Sequence, residues 1–112
     1  VYEKTKNPDG LLDFGKDPYI RHIKKVYKGY FEQFETLEDL LKKNLSNRVN
    51  INNLDLLLKI IIKCSIYELK FCSKIPFKVI IDQYLDVTNV FYGNDQKRLV
   101  NGVLDSVAKE LN

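Results

Sequence analysis

Tryptophan and methionine are absent from this 112-residue chain, and it holds only two cysteines, one histidine and three prolines. Each shortage excludes something. A small disulfide-stapled domain needs more than Cys64 and Cys72. Both lie in an apolar helical pattern and read as buried thiols in a reducing cytosol. Two cysteines eight residues apart and one distant His22 do not make a zinc motif by spacing. Long apolar runs are missing too: the longest falls short of the roughly 18–20 residues of a membrane span and is broken by Lys59 and Lys63. No signal-peptide pattern opens the chain. There is no glycine-rich phosphate loop and no Gly-x-Ser-x-Gly elbow. The carboxylates Glu35, Glu38, Asp39, Asp82 and Asp86 are spread along helix faces and read as solvated. His22, between Arg21 and Lys24, reads as a solvated helix residue, with no metal or catalytic partner nearby in sequence. An enzyme has no positive support and no cofactor is implied. The location read from these absences is cytoplasmic.

What remains is ordinary for a globular domain: 45% apolar and 29% charged residues, with a net charge of +3. That balance weakly favours anionic partners. Richness in Lys, Asn and Ile accompanies AT-rich coding sequence, which discounts part of the lysine excess.

Residues 1–16 are polar and glycine-dotted and read as a flexible lead-in, with Leu11, Leu12 and Phe14 able to tuck onto the body. Residues 17–112 read as a single helical domain. Asp17-Pro18 is a helix start, cap then proline. Ile20, Ile23, Val26, Tyr27, Tyr30, Phe31 and Phe34 follow at three- and four-residue spacing as one apolar side. Gly29 inside that helix costs about 1 kcal/mol unless a neighbour approaches closely. Thr36 restarts a short leucine-rich helix as its cap, with Lys42 and Lys43 in the last turn. Asn50 to Asn53 is a turn. Leu54 to Cys72 is apolar except for a stripe of Asp55, Lys59, Lys63, Tyr67 and Lys70, continued by Lys74, and so predicts a central helix. Pro76 opens a fourth helix whose buried side runs Ile80, Ile81, Tyr84, Leu85, Val87, Thr88 and Phe91. Asp95 can cap the last helix, with Leu99, Val100, Val103, Leu104, Val107, Ala108 and Leu111 inward. Five helices and no strands predict an all-α, compact helical bundle.

One basic face stands out. Arg21, Lys24, Lys25 and Lys28 share a side of the first helix, near Tyr27 and Tyr30. Such a face can hold phosphates and stack a base. An ordinary solvated amphipathic helix would look the same.

From Tyr67 onward the chain resembles the NusB family. Tyr67-Glu68-Leu69 is followed by Pro76, Val79, Phe91, Asp95 and the run Leu99-Val100-Asn101-Gly102-Val103-Leu104-Asp105. This is similar to the family's Tyr-Glu-Leu, its proline-led helix and its Phe-Val-Asn-Gly-Val-Leu-Asp. Upstream, Asp17-Pro18-Tyr19 and the leucine-rich helix ending at Asn47-Arg48 are similar more loosely.

The resemblance implies a transcription antitermination factor. Such a factor pairs with NusE, the small-subunit ribosomal protein, binds boxA RNA, and acts in the RNA polymerase antitermination complex on ribosomal RNA operons. It places Phe91, Asp95, Lys97 and Arg98 near the RNA, and Arg21 and Lys25 join them from the basic face. By pattern alone Phe91 also reads as core, Asp95 as a plain cap, and Asn101 with Gly102 as packing residues. The family's stacking Phe is Leu99 here, and Asp82-Gln83 replaces its Asn-Glu. The family's first helix, with its arginine-rich stretch, is expected upstream of this segment. Without it part of the core would lie open, and an open apolar face promotes self-association. Two alternatives keep the fold: a helical adaptor that binds protein only, and the NusB-like RNA-binding domain of RNA cytosine methyltransferases. The end of the chain after Leu111 favours the stand-alone factor.

Overall fold

A computed structural model describes residues 18–72 and 74–111, with side chains from Arg21 onward. Five α-helices follow in order: α1 Pro18–Glu32, α2 Phe34–Asn44, α3 Leu56–Phe71, α4 Phe77–Phe91 and α5 Asn94–Leu111, with a 3-10 turn at Ile51–Asn53 before α3. Among the described residues there is no strand, as the helical spacing predicted. No helix among them is long and apolar enough to cross a membrane. The predicted lead-in over 1–16 and the Asp17 cap lie outside the described residues.

All four other helices pack on α3, and α4 also packs on α5. Leu37, Leu41, Ile62, Ile66, Ile80, Val100, Leu104 and Val107 are fully buried around α3. Each such side chain contributes roughly 1.5–3 kcal/mol by leaving water. Cys72 is buried and Cys64 half-buried, both as free thiols.

The stripe on α3 does not face solvent throughout. Lys63 and Tyr67 are buried because α1 and α2 lie over them. Lys63 pairs with Glu38 of α2 and holds its ammonium 3.9 Å from the Phe34 ring centre. That pair draws Glu38 below the usual carboxylate range, chiefly through the Lys63 hydrogen bond, so Glu38 is not a plain solvated acid. Tyr67 lies across Gly29, and a Cβ on Gly29 would overlap its ring. The glycine that weakens α1 is thus the one that lets α1 reach α3.

Two predicted caps are corrected. α2 starts at Phe34 with Gln33 before it, so Thr36 sits inside the helix. Only Gln33 separates α1 from α2, and its N–H still bonds to the Gly29 carbonyl at 2.9 Å. α5 starts at Asn94, and the Lys97 N–H reaches the Gly93 carbonyl at 3.2 Å, so Asp95 lies in the first turn rather than at the cap.

The apolar sides of α1 and α4 are also less covered than their spacing predicts. Val26 is buried, but Ile23, Tyr27 and Phe31 of α1, Phe34 at the start of α2, and Val87 and Phe91 of α4 are exposed. Ile23, Tyr27 and Val87 line an open cleft between α1, α3 and α4, so their apolar surface is only partly covered.

Candidate nucleic-acid interface

The connection from α4 to α5 is short because Tyr92 leaves the helix into extended backbone (φ −136°, ψ 173°) while its N–H stays on the Thr88 carbonyl. The Tyr92 hydroxyl donates to Asp55, which precedes α3, and so ties this corner to the central helix. Phe91 is 58% exposed at the end of α4. Beyond it, Asn94, Lys97, Arg98 and Asn101 line a hollow of about 270 Å³ with Leu85. The N-terminal turn of a helix presents unpaired N–H groups and favours anions. Lys97 and Arg98 add positive charge there, although the Arg98 guanidinium is held by the Asp95 carboxylate. Asp95 itself borders a separate hollow with Tyr92, Gln96 and Leu99.

Asn101 and Gly102 are not packing residues. Both are exposed, and a Cβ on Gly102 would meet nothing within 4 Å. They lie three and four residues beyond Arg98, on the same helix side. Asn101 and Asn94 are therefore part of the corner that sequence reasoning missed. The signal available was Asn101 four residues after Lys97. Phe91 is likewise a surface ring and not core.

A second basic surface lies on α1. Arg21, Lys24, Lys25 and Lys28 are all exposed. Tyr27 is 67% exposed and meets Phe31 edge-on at 5.1 Å. Tyr30, in contrast, is half-buried, and burial first of all raises its phenol pKa. α1 rests on α3 and α2, whereas α5 rests on α3, α4 and α2. The six predicted residues therefore fall on two surfaces, with Arg21 and Lys25 apart from the α4–α5 corner.

Between α1, α3 and α4 runs a cleft of about 550 Å³, walled by Ile23, Val26, Ile60, Ile61 and Val87. His22 lines it and is not simply solvated: its Nε2 lies 2.8 Å from Oε1 of the buried Glu68. The Tyr84 hydroxyl donates to the other Glu68 oxygen. Burial, then that hydrogen bond, pushes the Tyr84 phenol far above its ordinary range. Burial also pushes the Cys64 thiol up to about 11, with the Glu68 charge adding to it. Cys72 is raised by burial too, and the charge of Lys25 only partly opposes this.

The described residues form a helical bundle with basic and aromatic side chains on its outer surfaces. The family model described as "NusB family" matches residues 16–109, and the chain belongs to the NusB family. It is similar to the transcription antitermination protein NusB of Rickettsia typhi (strain ATCC VR-144 / Wilmington), at 34% identity over 93 residues, which covers 83% of this chain and 60% of that protein. The protein of the same name from Rickettsia massiliae (strain Mtu5) is 35% identical over 91 residues, covering 81% and 58%. The chain thus spans about 60% of the length of the curated relatives it matches. These relatives are named as antitermination proteins and not as enzymes.

Proposed function

We propose that this chain is the helical body of a cytoplasmic transcription antitermination factor. It binds boxA-type RNA together with NusE and helps RNA polymerase read through terminators in ribosomal RNA operons. The observation that carries this reading is the α4–α5 corner. Phe91 is exposed at the end of α4, three residues before α5 begins, and the first turns of α5 bear Lys97 and Arg98, which share a hollow with Asn101. A ring beside anion-binding groups suits an unpaired base and its phosphate. The α1 face with Arg21 and Lys25 offers a second place for the phosphate backbone.

The test is binding of a labelled boxA-type RNA at low and moderate salt, with and without NusE, with the full-length gene product beside this chain. Salt-sensitive binding that NusE enhances is expected, since displaced counterions make affinity fall steeply with salt. Phe91→Ala should then cost about 1–3 kcal/mol of RNA binding, the range for a lost base stack. Lys97→Ala should weaken every RNA alike and flatten the salt dependence. No binding by either protein, even with NusE, would sink the reading.

A helical adaptor that binds only protein is the alternative. It is favoured by the Arg98–Asp95 pair, which offsets charge at the corner, and by Leu99, half-buried where the family stacks a Phe. It requires no RNA signal at any salt. The exposed apolar side chains on α1 and α4 favour self-association in either case.

A further inference from the structure

His22 lies 46 residues before Glu68, and Cys72 four residues after it, yet the bundle brings one nitrogen, one oxygen and one sulfur together. Their ligand atoms all fall within 4.8 Å of one another. Glu68 lies in the last turn of α3 and Cys72 caps that helix, its N–H bonding to the Glu68 carbonyl at 2.9 Å. His22 reaches them from α1. We propose that these three side chains form a binding site for a zinc-class divalent cation at the edge of the α1–α3–α4 cleft. The site is independent of the RNA reading above.

The donor set selects the metal. Imidazole, carboxylate and thiolate together suit zinc or cobalt, whereas magnesium and calcium take oxygen ligands. A tetrahedral ion with bonds of about 2.0–2.3 Å holds its ligand atoms roughly 3.3–3.8 Å apart. The His22–Glu68 pair, at 2.8 Å, has to open slightly, and the remaining gaps have to close by no more than about 1.5 Å. Rotation of half-buried His22 about its side-chain bonds is the cheapest of these adjustments, because its side chain is about one third accessible while Glu68 and Cys72 are buried. A carboxylate and a thiolate neutralise the ion, which suits a largely buried position.

The surroundings already orient the ligands. The Tyr84 hydroxyl holds one Glu68 oxygen and leaves Oε1 toward His22. Such outer hydrogen bonds fix ligating carboxylates. His22 and Glu68 both line the cleft, so an ion enters from that side and keeps a fourth position for water. Two things oppose binding. The Cys72 proton must leave, which makes affinity pH-dependent, and Lys25, whose charge reaches Cys72, repels the ion.

The probe is Co²⁺, titrated into the full chain under reducing conditions with a phosphine reductant. A single site is expected to give a thiolate-to-cobalt charge-transfer band in the near ultraviolet and intense visible bands of a four-coordinate ion, both displaced by Zn²⁺. Cys72→Ser should abolish the charge-transfer band, and Cys64→Ser should keep it. His22→Ala, a change at the cleft edge, should weaken Co²⁺ binding by more than about tenfold. Folding of every variant is read in parallel by far-ultraviolet circular dichroism, and Cys72→Ala serves in place of a Cys72→Ser that does not fold. The proposal is overturned by the absence of a thiolate–cobalt band, by a band that survives in the Cys72 variant, by one lost in Cys64→Ser, or by undiminished affinity in His22→Ala. In those cases His22, Glu68 and Tyr84 are a hydrogen-bonded network that satisfies a buried carboxylate.

Discussion

Gly29 and Gly102 both interrupt helices, and their settings are opposite. Gly29 is buried against the Tyr67 ring, while Gly102 faces open space. Gly102→Ala should therefore stabilise the fold by about 0.5–1 kcal/mol, the helix penalty of glycine. Gly29→Ala should destabilise it by about 1–3 kcal/mol, because the added methyl overpacks the contact with Tyr67. Urea midpoints of the two variants would rise and fall respectively; the same direction in both would refute the assignment. Spacing left a close approach at Gly29 as a condition only, and Gly102 read as a packing residue, which its exposure overturns. Spacing alone marks a helix but does not say which glycine a neighbour touches. His22 and Glu68, 46 residues apart, were equally unreadable as a pair.

Among the helices, α3 shows how far periodicity carries. Its length, its central place and the five-helix count were all legible in the repeat of apolar residues. Its orientation was not, because a helix that is apolar nearly all round gives no direction to its neighbours. The narrow polar stripe was the apparent outer face, yet α2 covers Lys63 and α1 covers Tyr67. Replacing both partners, Lys63→Met with Glu38→Leu, should be tolerated within about 1 kcal/mol, since an apolar pair of similar volume can replace a buried ion pair. Glu38→Ala leaves the Lys63 ammonium buried without its acid and should cost toward the lower end of about 3–5 kcal/mol, because Glu38 itself keeps some contact with water. Thermal unfolding of the two variants separates these outcomes, and equal losses would contradict the pairing. The α4–α5 corner was legible through the family resemblance at Phe91, Lys97 and Arg98. Asn94 and Asn101 entered only with the geometry.

For the whole molecule, the half-buried Cys64 thiol and Tyr84 phenol set the alkaline limit. Cys64 is neutral when protonated, and its pKa rises from 9.0 to about 11 on folding. The folded state thus holds that proton more tightly, and the stability it lends is complete below about pH 9 and lost as pH climbs through 11. Tyr84 adds a loss of the same sign starting above its ordinary value of 10.0. The melting temperature should fall between pH 9 and 11, and Cys64→Ala should flatten that slope even though it lowers stability at neutral pH. An unchanged slope in the variant would rule out Cys64 as the cause.

The Tyr67 ring over Gly29 also bears on the order of events in time. The contact joins residues 38 positions apart, so it forms only after α3 has presented its ring and the intervening chain has closed a loop. Docking of α1 is then expected on the downhill side of the folding barrier. Gly29→Ala should quicken unfolding and leave the refolding rate nearly unchanged, the behaviour of a residue whose contacts are absent from the transition state.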